Sequence, residues 1–306
     1  MVETTSPKKS MNLSERFKSF IIVVPLVVAF MSTYWTRLIM HIILCMICTH
    51  ECMKLIKVAY IMSDGVKYVS KLLLFSAAFI LPISANNGPY LFILTSIALF
   101  LTVYKYDQVG KVLGYEQPPS KHLMNTLQSM THVRNNFDDC HAAKLLFTLS
   151  WVVIPFSSAG LLHGLPNTHV GLLLVLLIIL PTAVGENGGL FGGYLLGTTH
   201  PFPTISPGKT TEGFICQILT SILTSVLFVL MTDLSNYFST FSAIVIGTML
   251  GFGGIAGDLF ESYVKRSVQE KDAGSMLPGW GGFLDRVDGL LFNFPLFCLA
   301  GLFNII

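Results

Sequence analysis

The chain has 306 residues, of which 52% are hydrophobic and 12% charged, and its formal net charge is +2. Its mean hydropathy of +0.66 lies far above that of soluble globular proteins, which excludes an ordinary soluble enzyme. No stretch combines basic residues with interleaved aromatic ones, so nothing indicates a nucleic-acid-binding protein. The composition indicates an integral membrane protein.

Nine apolar runs approach the roughly 20 residues that a helix needs to cross a bilayer. They lie at about 19–35, 37–54, 71–85, 89–104, 145–163, 169–185, 214–232, 238–257 and 289–306. The pattern predicts an all-α, polytopic membrane protein with about nine transmembrane helices. Basic residues precede the first run, as in a signal peptide, but no small-residue cleavage site follows it, so we expect it to be retained.

The basic residues predict which side of the membrane each loop faces. With a cytoplasmic N-terminus and nine crossings, Arg37 is the only one of the 19 Lys and Arg residues on the far side. Cytoplasmic loops are enriched in Lys and Arg, so this distribution predicts that orientation. The predicted parts are a polar tail (1–18), helices one to four (19–104), a cytoplasmic connector (105–144) and helices five to nine (145–306).

One carboxylate lies near the predicted cytoplasmic end of the second run. Glu51 follows His50 there. A carboxylate at this depth could contact a proton or a lipid headgroup, or it could be an interfacial side chain. The interfacial interpretation is favoured.

The predicted cytoplasmic segment 257–288 carries more charge than any other stretch of comparable length. Asp258 and Glu261 are spaced i, i+3 at the end of the eighth run, and Asp285 and Asp288 repeat that spacing before the ninth. Each pair can share one helix face, and the Gly-rich turn between them can bring the pairs together. Four carboxylates suit one or two Mg²⁺ ions, with water and substrate phosphates completing the shell. The alternative is that they are interfacial charges and helix caps.

Donors for phosphate groups accompany these carboxylates. Ser262 and Lys265 continue the face of Asp258 at i+4 and i+7. Lys and Arg side chains beside carboxylates suit phosphorylated ligands. The basic residues of the segment are Lys265, Arg266, Lys271 and Arg286. This combination indicates nucleotide or phospholipid chemistry at a membrane.

A second predicted cytoplasmic segment, 185–213, is rich in glycine. Within it, Ser206, Lys209 and Thr210 could donate hydrogen bonds to phosphates, while Glu212 could orient Lys209 or a metal-bound water. It is not a Walker loop, because no strand precedes it and the Gly-x₄-Gly-Lys spacing is absent. Glycine alone is weak support, since it also serves helix packing in membranes.

Together these residues resemble the motifs of the phosphatidate cytidylyltransferases, or CDP-diacylglycerol synthases. The longer motif reads Gly257-Asp258-Leu259-Phe260-Glu261-Ser262, Lys265-Arg266, Lys271-Asp272, Pro278-Gly279-x-Gly281-Gly282 and Asp285-Arg286-x-Asp288. The shorter reads Ser206-Pro207-x-Lys209-Thr210-x-Glu212-Gly213. The residues of the longer motif are similar to those of bacterial members of the family.

The resemblance implies an all-helical enzyme of the bacterial inner membrane, usually a homodimer, whose Mg²⁺-dependent site is open to cytoplasm and lipid. The implied reaction joins CTP to phosphatidic acid, giving CDP-diacylglycerol and pyrophosphate. The implied metal ligands are Asp258, Asp285 and Asp288. The residues expected to act in catalysis are Asp258, Lys265, Arg266, Lys271, Asp272, Asp285, Arg286 and Asp288. Those expected to bind substrate are Ser206, Lys209, Thr210, Glu212, Glu186, Glu261 and Ser262.

The sequence departs from the family pattern at three places. Trp280 replaces the His of the family motif. Gly208 and Thr211 replace its Lys and Trp, and Glu186 replaces its Asp. Three alternatives stay open: a CTP-dependent enzyme for an ether lipid or an isoprenoid alcohol, a non-catalytic homologue, and a membrane transporter. A transporter tends to place charges near the bilayer midplane in repeated halves, a pattern this sequence lacks.

Overall fold

The computed structural model describes residues 34–56, 64–87, 89–112, 141–163, 165, 167–274, 276 and 281–302. Most of the first predicted run, most of the predicted connector and Trp280 lie outside these residues. The described residues form helices and connecting turns, with no β-strand among them. The all-α prediction is confirmed for this part of the chain.

Each described helix overlaps one of the predicted apolar runs. They are α1 (Tyr34–Leu55), α2 (Asp64–Asn86), α3 (Pro89–Val112), α4 (His141–Thr148), α5 (Ile154–His163), α6 (Thr168–Leu196), α7 (Thr211–Met231), α8 (Thr240–Ser267) and α9 (Leu284–Leu302). A π-helical turn, Leu149–Val153, joins α4 to α5, and a 3₁₀ turn, Asp233–Asn236, follows α7.

Several helices extend beyond the apolar runs that predicted them, and two of these extensions carry candidate site residues. α6 continues to Leu196, so Glu186 lies in a helix rather than in a loop. α8 continues to Ser267, so the stretch 258–265 is helical, as the i, i+3 and i+7 spacing of its polar residues required. The apolar runs end where polar side chains begin. The backbone hydrogen-bond ladder of a helix does not require apolar side chains and continues past that point.

Among the described residues, five helices are long and apolar enough to cross a membrane, judged by length and composition. They are Trp35–Leu55, Lys144–Leu162, Thr168–Leu196, Thr211–Met231 and Thr240–Ser267, and the described part also has shorter apolar helices at Leu74–Ser84 and Tyr90–Leu99. The chain is therefore a polytopic helical protein, while the total of nine spans and the cytoplasmic N-terminus stay predictions.

Glycines allow α6, α7 and α8 to approach closely. A Cβ at Gly188 would lie 2.6 Å from the Thr220 methyl carbon, and one at Gly251 would lie 2.9 Å from the Ile218 Cα. Cβ atoms essentially never come so near another atom, so larger residues would separate these helices. Small residues at helix interfaces are typical of membrane bundles.

Helix α9 joins two apolar clusters formed by the described residues. Its first half, with Leu284 and Leu291, packs into one cluster with α1 to α5, and its second half, with Phe294 and Phe297, packs into a cluster with α5 to α8. Buried Asn293 donates from Nδ2 to the Thr182 hydroxyl at 2.8 Å and to the Leu250 carbonyl at 3.0 Å. These bonds hold the middle of α9 against α6 and α8.

Candidate active site

An ion pair joins the two charged segments that the sequence singled out. Lys209 lies after α6, in a turn closed by its own N–H, which donates to the Ser206 carbonyl at 3.2 Å. Its ammonium Nζ pairs with Oδ2 of Asp258, which lies on α8. The fold therefore brings segments 185–213 and 257–288 together.

A second ion-pair network joins α8 to α9. Lys265 Nζ donates to Glu261 Oε2 and to Asp285 Oδ1, each at 2.8 Å. Glu261 and Lys265 are one turn apart on α8, whereas Asp285 lies in the first turn of α9. Only 1% of the Glu261 side chain and 6% of the Asp285 side chain are exposed, so the network is shielded from solvent. It therefore fixes the start of α9 against the end of α8.

Asp285 uses both carboxylate oxygens to hold the turn between α8 and α9. The Ala273 N–H lies 3.0 Å from each oxygen, and the Gly282 N–H donates to Oδ2 at 2.7 Å. Burial opposes ionisation, but the ammonium of Lys265 and these two N–H groups hold the pKa of Asp285 below its ordinary value. Gly281, with a φ of 84°, gives the turn a backbone conformation that favours glycine. Asp285 is thus an ionised group whose oxygens already have partners.

Asp288 lies one turn further along α9, close to α8. Its Oδ1 accepts the N–H of Gly289 at 2.8 Å, and its backbone carbonyl touches Gly257, where no Cβ would fit. Burial, and next the negative charge of Asp258, raise the pKa of Asp288 to about 6. Asp258 and Asp288 are therefore neighbouring carboxylates that repel each other.

Two further carboxylates face this pair. Oε1 of Glu261 is buried and has no hydrogen-bond partner among the described residues, and the Glu261 side chain lies close to that of Asp288. Glu186, on α6, reaches Gly289 and has Asp258 and Asp288 among its charged neighbours. The four carboxylates concentrate negative charge that Lys209 and Lys265 offset only in part, and such a cluster favours a bound cation.

The donor set fits a magnesium ion that is shared with a substrate. The described residues contain no ready-made group of three or more His, Cys, Asp or Glu side chains around one metal position. Mg²⁺ at phosphoryl-transfer sites usually takes one or two carboxylates together with substrate phosphates and water, so such a group is not required. Asp258 and Asp288 fit this role. Ligation by Asp258, Asp285 and Asp288 stays a prediction.

Several residues predicted to bind substrate or to act in catalysis make structural contacts. Thr210 caps α7 by accepting the Gly213 N–H at 3.1 Å, and Glu212 accepts the Thr198 hydroxyl at 2.7 Å. Arg266 Nε donates to the Ile205 carbonyl at 3.3 Å. These bonds hold the stretch that carries Lys209 against α7 and α8.

The other predicted residues lie around this network. Ser206 accepts the Lys209 N–H in the turn described above. Ser262 is buried on α8, while the side chains exposed to solvent are Lys271, Asp272 and Arg286. Their exposure leaves them accessible to a ligand.

The sequence interpretation missed the part played by Glu51. This residue of α1 is only 3% exposed, and its Oε2 accepts the N–H of Leu284, the first residue of α9, at 2.7 Å. It is therefore not an interfacial side chain. The available signal was an acidic residue inside an apolar run, which is costly in a membrane protein.

The fold and the site define a helical membrane protein with a carboxylate and lysine cluster at one end of its bundle. Residues 14–303 match the model of the cytidylyltransferase family. The chain belongs to this family, and the resemblance inferred from the motifs is confirmed.

Part of the chain is similar in sequence to several named proteins. The phosphatidate cytidylyltransferase of Helicobacter pylori (strain ATCC 700392 / 26695) is 40% identical over 149 residues, which cover 47% of this chain and 54% of the relative. That of Staphylococcus epidermidis (strain ATCC 35984) is 34% identical over 163 residues, covering 53% and 60%. The uncharacterised protein YnbB of Escherichia coli K12 is 35% identical over 161 residues, covering 51% and 53%. The chain thus spans little more than half the length of these relatives.

Proposed function

We propose that this protein transfers the cytidylyl group of CTP to phosphatidic acid, giving CDP-diacylglycerol and pyrophosphate. Its family and the names of its relatives support the reaction class. The observation that carries the proposal is the Lys209–Asp258 pair beside Asp288, because it unites phosphate-binding and cation-binding groups from three chain segments. Nothing in the described residues favours a second function.

The chemistry requires little from a general base. An oxygen of the lipid phosphate attacks the α-phosphorus of CTP, and the bond from that phosphorus to the oxygen bridging to the β-phosphate breaks. Pyrophosphate leaves with that bridging oxygen and the electron pair. A phosphate monoester is largely ionised at pH 7, so the nucleophile is already charged. The protein's task is to align two anionic substrates and to offset their repulsion.

The residues divide this task between them. Lys209 and Arg286 bind phosphate oxygens, and Lys265, held between Glu261 and Asp285, maintains positive charge beside them. Asp258 and Asp288 would hold one or two Mg²⁺ ions together with the triphosphate. A bound Mg²⁺ neutralises charge on the phosphate oxygens. Arg266 and Lys271 add positive charge at the rim.

The membrane topology follows from the same proposal. A cytoplasmic N-terminus and nine spans would place the carboxylate cluster on the cytoplasmic side, where CTP is found, in the bacterial inner membrane. The acyl chains of phosphatidic acid stay in lipid beside α8, whose Phe252 and Tyr263 are exposed apolar side chains. A homodimer is part of the proposal through the family resemblance.

The test is conversion of radiolabelled CTP into chloroform-soluble product by purified protein, with phosphatidic acid and Mg²⁺. EDTA should abolish the conversion and added Mg²⁺ should restore it. Lys209→Ala should lower kcat by about a hundredfold, the typical loss for one electrostatic contact to a transition state. Glu270→Ala, which removes an exposed carboxylate outside the cluster, should leave it unchanged.

Other outcomes would refute the proposal in different ways. Product formed only with an ether lipid or an isoprenoid alcohol would change the acceptor. A wild type inert with every acceptor, and not activated by Trp280→His, would indicate a non-catalytic homologue. Electrogenic flux in liposomes without nucleotide would indicate a transporter.

A further inference from the structure

Glu51 is a buried carboxylate that connects α1 to the turn between α8 and α9. It precedes Leu284 by 233 residues, yet its Oε2 accepts the Leu284 N–H at 2.7 Å. The first N–H groups of a helix have no partner within the helix and need an acceptor from outside. Glu51 therefore caps α9 from a distant helix.

Glycines let the turn approach Glu51. A Cβ at Gly274 would lie 2.6 Å from Oε1, and one at Gly282 would lie 2.9 Å from Oε2. Both distances are shorter than Cβ contacts in real proteins, so a larger residue would push the turn away. Oε1 is buried and accepts no hydrogen bond from the described residues. A half-satisfied carboxylate is costly at this depth, which indicates a function for it.

Two carboxylates hold the same turn from different elements. Gly282 donates its N–H to Asp285 of α9, and a Cβ at this glycine would press against the carboxylate of Glu51 on α1. The first residue of α9 is thus tied to α1. Asp288 follows Leu284 by four residues, one turn along the same helix, and its carbonyl contacts Gly257 of α8. A shift at the start of α9 would therefore move Asp288 relative to Asp258.

We propose that Glu51 is a positioning residue for the carboxylate cluster: by capping α9 it fixes the place of Asp288 beside Asp258. The kinetic test of this role rests on the proposed cytidylyl transfer, whereas the hydrogen-exchange test does not. Glu51 acts through Leu284 and does not touch substrate.

The experiment compares Glu51→Ala and Glu51→Gln with the control Glu270→Ala. Steady-state assays give kcat, the KM for CTP and the Mg²⁺ concentration for half-maximal activity. Hydrogen exchange, followed by mass spectrometry on the holoprotein in detergent, reports on the backbone of residues 281–288. Thermal unfolding reports separately on stability.

Glu51→Ala should lower kcat by about tenfold to a hundredfold, since misplacing a reacting group by about 1 Å costs rates of that order. The Mg²⁺ concentration for half-maximal activity should rise, the KM for CTP should change less than kcat, and exchange in residues 281–288 should accelerate. Glu51→Gln keeps an oxygen that can accept the Leu284 N–H and should stay close to wild type. Glu270→Ala should match wild type.

Three results would overturn the inference. The first is a Glu51→Ala protein that matches Glu270→Ala in kcat, Mg²⁺ dependence and exchange. The second is a loss of stability alone, with kcat and Mg²⁺ dependence of the folded enzyme unchanged. The third is equal inactivity of the Ala and Gln variants with wild-type exchange, which would assign Glu51 to the chemistry.

Two controls keep the outcome decisive. Where Glu51→Ala cannot be recovered folded, Glu51→Asp, which is one methylene shorter, takes its place. Accelerated exchange in residues 281–288 then supports the role and unchanged exchange refutes it. A wild type without cytidylyl transfer would refute the proposed function alone, because the exchange comparison still decides the role of Glu51.

Discussion

The Lys265 network offers the sharpest test of how α8 and α9 are held together. Lys265→Met keeps much of the side-chain volume but removes the ammonium that pairs with Glu261 and Asp285. The Lys265 side chain is 12% exposed, so solvent screens these pairs little. Removing one partner of a buried ion pair costs about 3–5 kcal/mol, because the remaining charge stays buried without compensation. We expect the free energy of unfolding to fall by about that amount.

The assay is equilibrium unfolding in mixed detergent micelles with increasing dodecyl sulfate, followed by circular dichroism. Lys271→Met is the matched control: it removes an exposed lysine and should change stability by less than about 0.5 kcal/mol. The double variant Lys265→Met with Glu261→Gln removes one of the stranded charges and should recover about 1–3 kcal/mol relative to Lys265→Met. A Lys265→Met protein as stable as the Lys271→Met control would show that the ammonium adds nothing net to the packing of α9 on α8.

Two further predictions concern the same interface. Gly257→Ala would place a Cβ against the Asp288 carbonyl and should lower both activity and stability, the latter by about 1–3 kcal/mol. Gly301→Ala, where the added Cβ meets open space, should change neither. Thermal unfolding and the labelled-CTP assay measure the two effects, and wild-type stability and activity in Gly257→Ala would contradict the close packing. Asp285→Asn should abolish turnover. It should also destabilise the fold by about 1–3 kcal/mol, because the new amide group would face the Gly282 N–H. Undiminished product formation would remove Asp285 from the site.

The sequence anticipated the helices better than their ends. Apolar runs located the described helices, because crossing hydrocarbon demands long uninterrupted apolar segments. The same criterion placed Glu186 and Asp258 outside or at the edge of helices, although α6 and α8 continue to Leu196 and Ser267. Backbone hydrogen bonding, which no hydropathy pattern reports, decides where those helices end.

The sequence also anticipated which groups would meet, but not how each would be used. The i, i+3 pairs and the motif match placed Asp258 and Asp288 close together, and the contact of Lys209 with Asp258 agrees with the two segments converging. The partners of Asp285 are backbone N–H groups of Ala273 and Gly282, and a linear spacing cannot predict where such groups point.

The order of residues by itself determined a helical membrane protein of the cytidylyltransferase family, since hydrophobic length and motif spacing are local properties. Only the tertiary structure decided that Glu51 caps α9, that Lys265 bridges two helices and that Asp285 holds a turn. These contacts join groups up to 233 residues apart. They arise because buried charges and the unpaired N–H groups of a helix start must find partners wherever the packed helices bring them.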